Sequence, residues 1–559
     1  MPTWSDILQW DHTDLTEAAA SLSSLRTKLT TSADDAALAG SAVLSSGAGV
    51  DQALATLKSL TGNHDDLVNE VSELMMATAD AADGVWDVKT RVLECQQYAD
   101  THSYLSINDD GTVSCERTSP PPPDEVGTRG GAAGSSVTKY TAENKGRSED
   151  AEELRGMMSD AISRAVEVDD AYAERLRALK SGTYTCSETS ASNSPGLPDR
   201  PQAGWSATEV ATWWRSLAQE ERDAIIRDNP EWIGNLDGVD AKSRDLANRN
   251  RVDDELKKAD EAVTNAQILY DDWQKNYADG QMKNPYLDQL LTAHERKSDL
   301  EAIEKHAREH PDHSLLVLDT SGSARVRAAV GVGDVDTAEH VSTYVPGMGT
   351  NPADTLENYV SQAELVRRHS EEEGNGSVAT VAWLGYDAPP GLGQPGWTSV
   401  TSTSQAEAGA DSLNSFTEGI NASRAAAGGA EPHQTILGHS YGSTTSGIAV
   451  SRAREGVADD LVMFGSPGSG VHDIREYNLG TGQAHVSAVD SHDWVQGRGF
   501  DSSFGVNPTE LYGINHLSGD APRPHGINFF NPFARHGNYL TEGAGALTDM
   551  AKVVAGGKP

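Results

Sequence analysis

Hydrophobic and polar positions divide the chain into three textures. From about residue 12 to 100 leucines recur at heptad-like spacing, first Leu15, Leu22, Leu25 and Leu29, then Leu54, Leu57, Leu67, Val71 and Leu74. This periodicity predicts two long helices. A breaker at Ser45-Ser46-Gly47-Ala48-Gly49 separates them, so the two seams would pack as an antiparallel hairpin. A short β-hairpin is expected over residues 106–113, between Cys95 and Cys115. A third helix carries Leu154, Met158, Ile162 and Ala165 on one face. After a loose stretch from Thr189 to Gly204, Ser206-Ala207-Thr208-Glu209 has the capping-box pattern that opens a helix, with Val210, Trp213 and Leu217 on its apolar face. The tryptophans here are expected in a core rather than at a ligand. Helix is expected again over about 252–310.

From Ser314 the texture changes. Short β-rich runs at 314–319, 325–332, 340–345, 378–384, 435–437, 461–464 and 485–489 alternate with helical stretches. That alternation predicts a mostly parallel sheet with helices on both faces and a site at the carboxyl ends of its strands. A Pro- and Gly-rich stretch, Ser119 to Lys145, reads as a linker. The expected organisation is a helical hairpin module over 1–118, a linker over 119–145, a helical region over 146–312 and an α/β catalytic domain over 313–559, which suits a chain of 559 residues.

Charge and cysteine content narrow the options. The net charge is −40, from 44 basic and 84 acidic residues. Phosphate backbones and anionic lipid surfaces repel such a chain, so neither nucleic acid nor a membrane surface is an expected partner. No run of about 18 apolar residues suggests a membrane span. Met1 to Asp6 has neither the basic start nor the apolar core of a Sec signal, so the expected location is the cytoplasm, or outside it by a route that needs no Sec signal. The three cysteines, Cys95, Cys115 and Cys186, form no C-x-x-C pair; Cys95 and Cys115 could be bridged, and none lies in the α/β part. No His/Cys cluster is read with ligand spacing, so neither a metal nor an organic cofactor is expected. Gly331-Val332-Gly333 lacks the third glycine of a dinucleotide loop.

The chemistry concentrates at Gly438-His439-Ser440-Tyr441-Gly442. This is the G-x-S-x-G pattern of a nucleophile elbow, and its context fits: a short apolar strand runs into it and a helix with small residues leaves it. Ser440 is the expected nucleophile. A serine hydroxyl needs a base, and the base an orienting acid. After the strand at 485–489, Asp490 and Asp493 are both candidates for the acid; Asp493 is preferred because loop reach toward a histidine is easier. Of His492, His516, His525 and His536, the last directly precedes the final helical stretch, about 538–553, and is the preferred base. His516 and His525 lie in a Gly/Pro-rich insertion and are expected at the surface. The oxyanion hole needs two backbone N–H groups. Tyr441 should supply one and Met348, in Val345-Pro346-Gly347-Met348-Gly349-Thr350, the other.

Several blocks resemble a family of largely uncharacterised α/β-hydrolases of high-GC Gram-positive bacteria: residues 344–350, Val381-Ala382-Trp383-Leu384-Gly385-Tyr386, Gly438 to Ser443, Gly465-Ser466-Pro467-Gly468 and His536-Gly537-Asn538-Tyr539, with Asn235 to Val239 and Arg244 to Arg249 upstream. The resemblance covers about residues 204–559. It implies Ser440, His536 and an aspartate within 490–493 as a triad, and lipase- or esterase-like activity. The first hairpin looks like the WXG-type helical modules of type VII secretion, although its turn has Gly47-Ala48-Gly49 and no tryptophan, and Tyr98 is followed four residues on by His102. The function expected is a serine hydrolase cleaving a small-molecule or lipid-like carboxylic ester through a Ser440 acyl-enzyme. The alternative is an interaction protein or secreted effector whose helical region meets a protein partner and whose hydrolase domain is inactive.

Overall fold

The computed structural model describes the chain except residues 1, 42–47, 118–131, 184–199, 203, 278–282, 323–324, 392, 395, 455, 480–482, 490–492, 497–503, 523–534 and 559. The chain divides into two compact units, Met1–Thr189 with Pro195–Leu197, and Ser190–Ser194 with Pro198–Pro559.

In the first unit a short capped turn, α1 (Trp4–Ile7), precedes α2 (His12–Ser41) and α3 (Ala48–Thr101). A two-stranded ribbon, β1 (Leu105–Ile107) and β2 (Val113–Cys115), and a third long helix, α4 (Ala132–Ser181), complete it. The expected helical hairpin forms and Val71 of its expected seam is buried, but the rest of the packing face is offset from the leucines. Leu25 and Leu67 are exposed, whereas Ala19, Ser23 and Arg26 of α2 and Val68, Val71, Ser72 and Met75 of α3 are buried. A buried guanidinium needs a partner, and Arg26 Nε donates to Ser72 Oγ at 2.7 Å. The side chains of Leu54 and Leu57 lie outside the described residues.

The expected boundary also moves. α4 begins inside the segment read as a linker, at Ala132, and its Leu154, Met158, Ala161 and Ala165 share one core with Val85, Val88, Val92 and Cys95 of α3. The third helix therefore completes the first unit instead of opening the region before the sheet. Three apolar helix faces bury more surface than two, which is why it packs there. Cys95 and Cys115 are both free thiols, so the bridge open to them is not made; burial pushes the Cys95 thiol up to about 12.

The second unit begins with α5 (Ala207–Ser216), α6 (Gln219–Asp228), α7 (Ala241–Tyr277) and α8 (Leu287–Glu309). The Ser206–Glu209 capping box forms at the start of α5, and Val210, Trp213 and Leu217 are buried. Then come β3 (Ser314–Asp319), β4 (Arg327–Val332), β5 (His340–Val345), α9 (Pro352–Glu372), β6 (Val378–Leu384), α10 (Ser404–Ala426) and β7 (His433–His439). These are followed by α11 (Tyr441–Arg452), β8 (Asp460–Phe464), β9 (Ala484–Ser487), β10 (Asn515–His516) and α12 (Gly545–Val554). The last helix starts at Gly545, seven residues later than the sequence pattern suggests, because 539–543 form turns and a bend.

The eight strands form one sheet in the order β10-β9-β8-β7-β5-β6-β4-β3. β4 runs antiparallel to β3 and β6; every other pairing is parallel. One apolar cluster joins Trp383 and Ile436 to Leu413 and Phe416 of α10 and Ile448 of α11. Another joins Tyr344 and Leu437 to Val366 of α9 and Leu547 and Met550 of α12. Neighbouring strand residues point to opposite faces, so helices cover both sides. The edge of β3 is closed by side chains from α7 and from the turn before it. Asn235 Nδ2 donates to Leu318 O at 2.9 Å and its Oδ1 accepts from the Leu318 N–H at 2.8 Å. Asp245 accepts from the Leu315 N–H at 2.7 Å, and Asn248 donates to Leu315 O at 3.0 Å. An exposed strand edge invites pairing with other chains, and here it is covered. Among the described residues no helix is long and apolar enough to cross a membrane.

Candidate active site

β7 ends at His439 and α11 begins at Tyr441, so Ser440 stands alone at the turn between them. Its backbone has φ 55° and ψ −130°, and it is the single described non-glycine residue with positive φ. Cβ crowding makes that conformation costly for an L-residue. The turn is pinned by the Ser440 N–H, which donates to Phe464 O at the end of β8 (3.0 Å), and by the Ser443 N–H, which donates to Ser440 O (3.0 Å). Gly442 fits under the loop after β5: a Cβ there would lie 2.3 Å from Val345 O.

That loop approaches the serine from the other side. A Cβ on Gly347 would lie 2.6 Å from Ser440 Cβ, 2.9 Å from its Oγ and 3.1 Å from the Tyr441 nitrogen. Only a glycine permits the approach. Tyr441 is the first residue of α11, so its N–H has no acceptor within its own helix. Met348 follows Gly347 and is half-buried. The next N–H along, that of Gly349, is already given to Pro389 O at 2.7 Å, and Tyr386 OH donates to Pro346 O at 2.7 Å, bracing the loop.

Asp493 and His536 lie far apart in sequence and meet beyond the ends of β8 and β9. His536 Nδ1 is 2.9 Å from Asp493 Oδ1. A carboxylate accepts, so Nδ1 carries the hydrogen and Nε2 keeps its lone pair. The same Oδ1 accepts from the Val495 N–H at 3.1 Å, and Oδ2 accepts from Tyr539 OH at 2.9 Å. Burial pushes the Asp493 carboxyl up; the hydrogen bond and charge of His536, with the Val495 N–H and Gln496, outweigh it and hold the group below the usual carboxylate range. Among the described residues Ser440 Oγ has no hydrogen bond to His536. The link between them is His439, whose ring lies 4.7 Å from that of His536 and whose Nε2 is 2.8 Å from His536 O. A carbonyl only accepts, so His439 Nε2 bears the hydrogen. Burial, reinforced by His536, pushes the His439 imidazole down to about 3, which keeps it neutral.

Asp490, His492 and His525 lie outside the described residues. His516 is exposed on the edge strand β10. Three residues around the pair are given no role by the motif reading: Tyr539, His439 and Gln496, whose Nε2 donates to Tyr539 OH at 2.9 Å. Tyr539 stands three residues after His536 and His439 is the variable position of the elbow motif, but neither pattern specifies what the side chain touches.

A family profile described as alpha/beta hydrolase matches residues 321–499. An uncharacterised protein of Mycobacterium bovis is 34% identical over 242 residues, covering 41% of this chain and 87% of that protein. The chain belongs to the α/β-hydrolase family. A longer match joins this α/β-hydrolase to an uncharacterised protein of Mycobacterium tuberculosis, 27% identical over 420 residues; it covers 69% of this chain and 62% of that protein's length. Among solved structures, the α/β-hydrolase is similar to a dienelactone hydrolase from Anabaena variabilis, at 14% identity and TM-score 0.27, covering 44% of this chain and 96% of that one. It is also similar to a hyperthermophilic esterase from the archaeon Pyrobaculum calidifontis, at 13% identity and TM-score 0.25, covering 52% and 97%.

Proposed function

We propose that this α/β-hydrolase is a serine hydrolase that cleaves a carboxylic ester through an acyl-enzyme on Ser440. The observation that carries the reading is the strained Ser440 backbone at the strand–helix turn, in a unit that also holds a buried aspartate bonded to a histidine. In this mechanism His536 Nε2 takes the Ser440 proton as Oγ attacks the ester carbonyl. Asp493 keeps the imidazole in the Nδ1–H form and stabilises the imidazolium that results. The tetrahedral oxyanion is met by the N–H groups of Tyr441 and Met348. His536 then returns the proton to the leaving alkoxide, and the alcohol departs. A water, activated by the same nitrogen, hydrolyses the acyl-enzyme and releases the carboxylic acid. Every step is served by the chain's own groups. The substrate is a small-molecule or lipid-like ester; a panel of p-nitrophenyl esters of graded acyl length ranks the candidates. Ser440→Ala should reduce kcat by about 10⁶, the scale typical of removing a triad serine. Turnover retained in the variant would refute the proposal.

A further inference from the structure

Away from Ser440, the end of α8 gathers three histidines. His306 and His310 are four residues apart, the spacing that brings two side chains to one helix face, and His313 follows in the turn before β3. The expectation that no His/Cys group has ligand spacing passes over this H-x3-H pattern, because its third donor comes from another helix. That donor is Glu357 in α9. Its Oε2 lies 3.1 Å from His306 Nδ1 and its Oε1 lies 3.7 Å from His310 Nε2. The ligand atoms of the three residues all lie within 4.8 Å of one another.

A tetrahedral zinc ion with bonds of about 2.0–2.1 Å holds its donors about 3.3 Å apart. The donors from the two helices are thus close to the edges of such a polyhedron without an ion to draw them in. We propose that His306 Nδ1, His310 and Glu357 bind one divalent transition-metal ion and that the ion clips the end of α8 to α9. Two imidazoles and one carboxylate suit zinc, and nickel or cobalt after it, over calcium or magnesium, which take oxygen donors. His306 is buried, which gives the site a rigid wall, while the Glu357 side chain is 71% exposed and leaves an entry path. A ligating histidine usually gives its other N–H to a fixed partner. His306 Nε2 lies 3.1 Å from His313 Nδ1, so with the metal on Nδ1 the Nε2–H is donated to His313. The three rings pack at centroid distances of 4.6, 4.8 and 5.3 Å, which restricts their rotation. Three protein ligands leave a fourth position for water. A neighbouring set, His310, Asp312 and His313, shares His310, so replacing Glu357 separates the two geometries.

The test uses the full chain stripped with EDTA and titrated with zinc chloride against a chromophoric chelator, with thermal melts alongside. The expected result is one zinc per chain and a raised Tm. His310→Ala and Glu357→Gln change side chains that are partly or largely exposed, so both variants should keep the metal-free Tm. Each should weaken zinc by more than about 100-fold, beyond the 10–100-fold typical of losing an outer partner, which is the effect expected of His313→Ala. Cobalt(II) added to the unaltered chain should give the intense visible bands of four- or five-coordination. Zinc affinity unchanged by Glu357→Gln, or a weak six-coordinate cobalt spectrum, would overturn the proposal.

Discussion

Ser440 holds a backbone conformation that costs of order 1–3 kcal/mol, and such strain persists only where the surroundings impose it. Gly347 is one of those surroundings. Gly347→Ala would drive a methyl to 2.6 Å from Ser440 Cβ, so the loop or the serine must shift. Loss of most esterase turnover is expected with an unchanged circular dichroism spectrum; full activity would mean that the loop does not work against the serine. Asp493 fixes the His536 tautomer through a 2.9 Å hydrogen bond. Asp493→Asn should lower kcat by about 10⁴, as wrong-tautomer substitutions do in triads. Tyr539→Phe removes one hydrogen bond to the same carboxylate, worth about 1.5–3 kcal/mol when charge is involved, so a loss of roughly ten- to a hundredfold in kcat with little change in KM is the expected result. Stopped-flow or plate kinetics on the two variants separate an orienting acid from a bystander. Motif and chain order single out Ser440, Asp493 and His536 as candidates in the sequence, and the structure bonds Asp493 to His536 and places Ser440 alone at the strand–helix turn. Tyr539, Gln496 and His439 are not legible, since what they do depends on contacts across 40 to 100 residues.

At the scale of elements, seven of the eight strands of the sheet are legible because buried strands are nearly continuous apolar runs, whereas β10, the polar pair Asn515–His516 in a stretch read as an insertion, is not. The helix seams of the first unit are less so. A leucine repeat marks an amphipathic helix, yet the face that packs carries Ala19, Ser23 and Arg26, and small residues beside one satisfied guanidinium carry no hydrophobic signal. The opposite end of the sheet from Ser440 has a polar clasp of the same kind. Asp460, at the start of β8, accepts from His433 Nε2 on β7 (2.9 Å), His485 Nε2 on β9 (3.1 Å) and the Gln483 N–H (2.7 Å). Burial opposes the charges, but these partners hold the Asp460 carboxyl far below its ordinary range. For His433, burial lowers the imidazole, and Asp460, with the charge of Asp459 and the Val554 carbonyl, more than restores it, leaving it above its ordinary 6.5. A raised histidine stabilises the folded chain below 6.5 and loses that contribution as pH climbs through its folded value; a depressed aspartate contributes above 3.8 and loses it as pH falls. Tm should therefore decline as pH rises above 6.5, and Asp460→Asn should lower Tm near neutrality and flatten that decline. An unaltered Tm–pH curve in the variant would show that the clasp does not couple to folding.

At the scale of the molecule, the clearest misreading is the boundary. A run of prolines and glycines in the sequence does not by itself mark where a compact unit ends, and α4 belongs to the first unit although it follows that run. The second unit keeps α7 and α8 because they close the β3 edge and fill the cluster beside it, while α5 packs on α10 and α6 on α7. A chain starting at Pro198 should thus fold and hydrolyse small esters at the full chain's rate, whereas one starting at Ser314 should aggregate through its open edge and uncovered apolar face. Soluble, active protein from Ser314 would contradict this. Stripping metal with EDTA should lower Tm through the α8–α9 clip while leaving ester turnover in place, and loss of turnover restored by zinc would make the reaction metal-dependent. The measurement closest to the central claim is covalent labelling of the full chain with a fluorophosphonate, read by peptide mass spectrometry. The expected result is one adduct per chain on Ser440, absent in Ser440→Ala; an unlabelled chain, or an adduct on another residue, would contradict it.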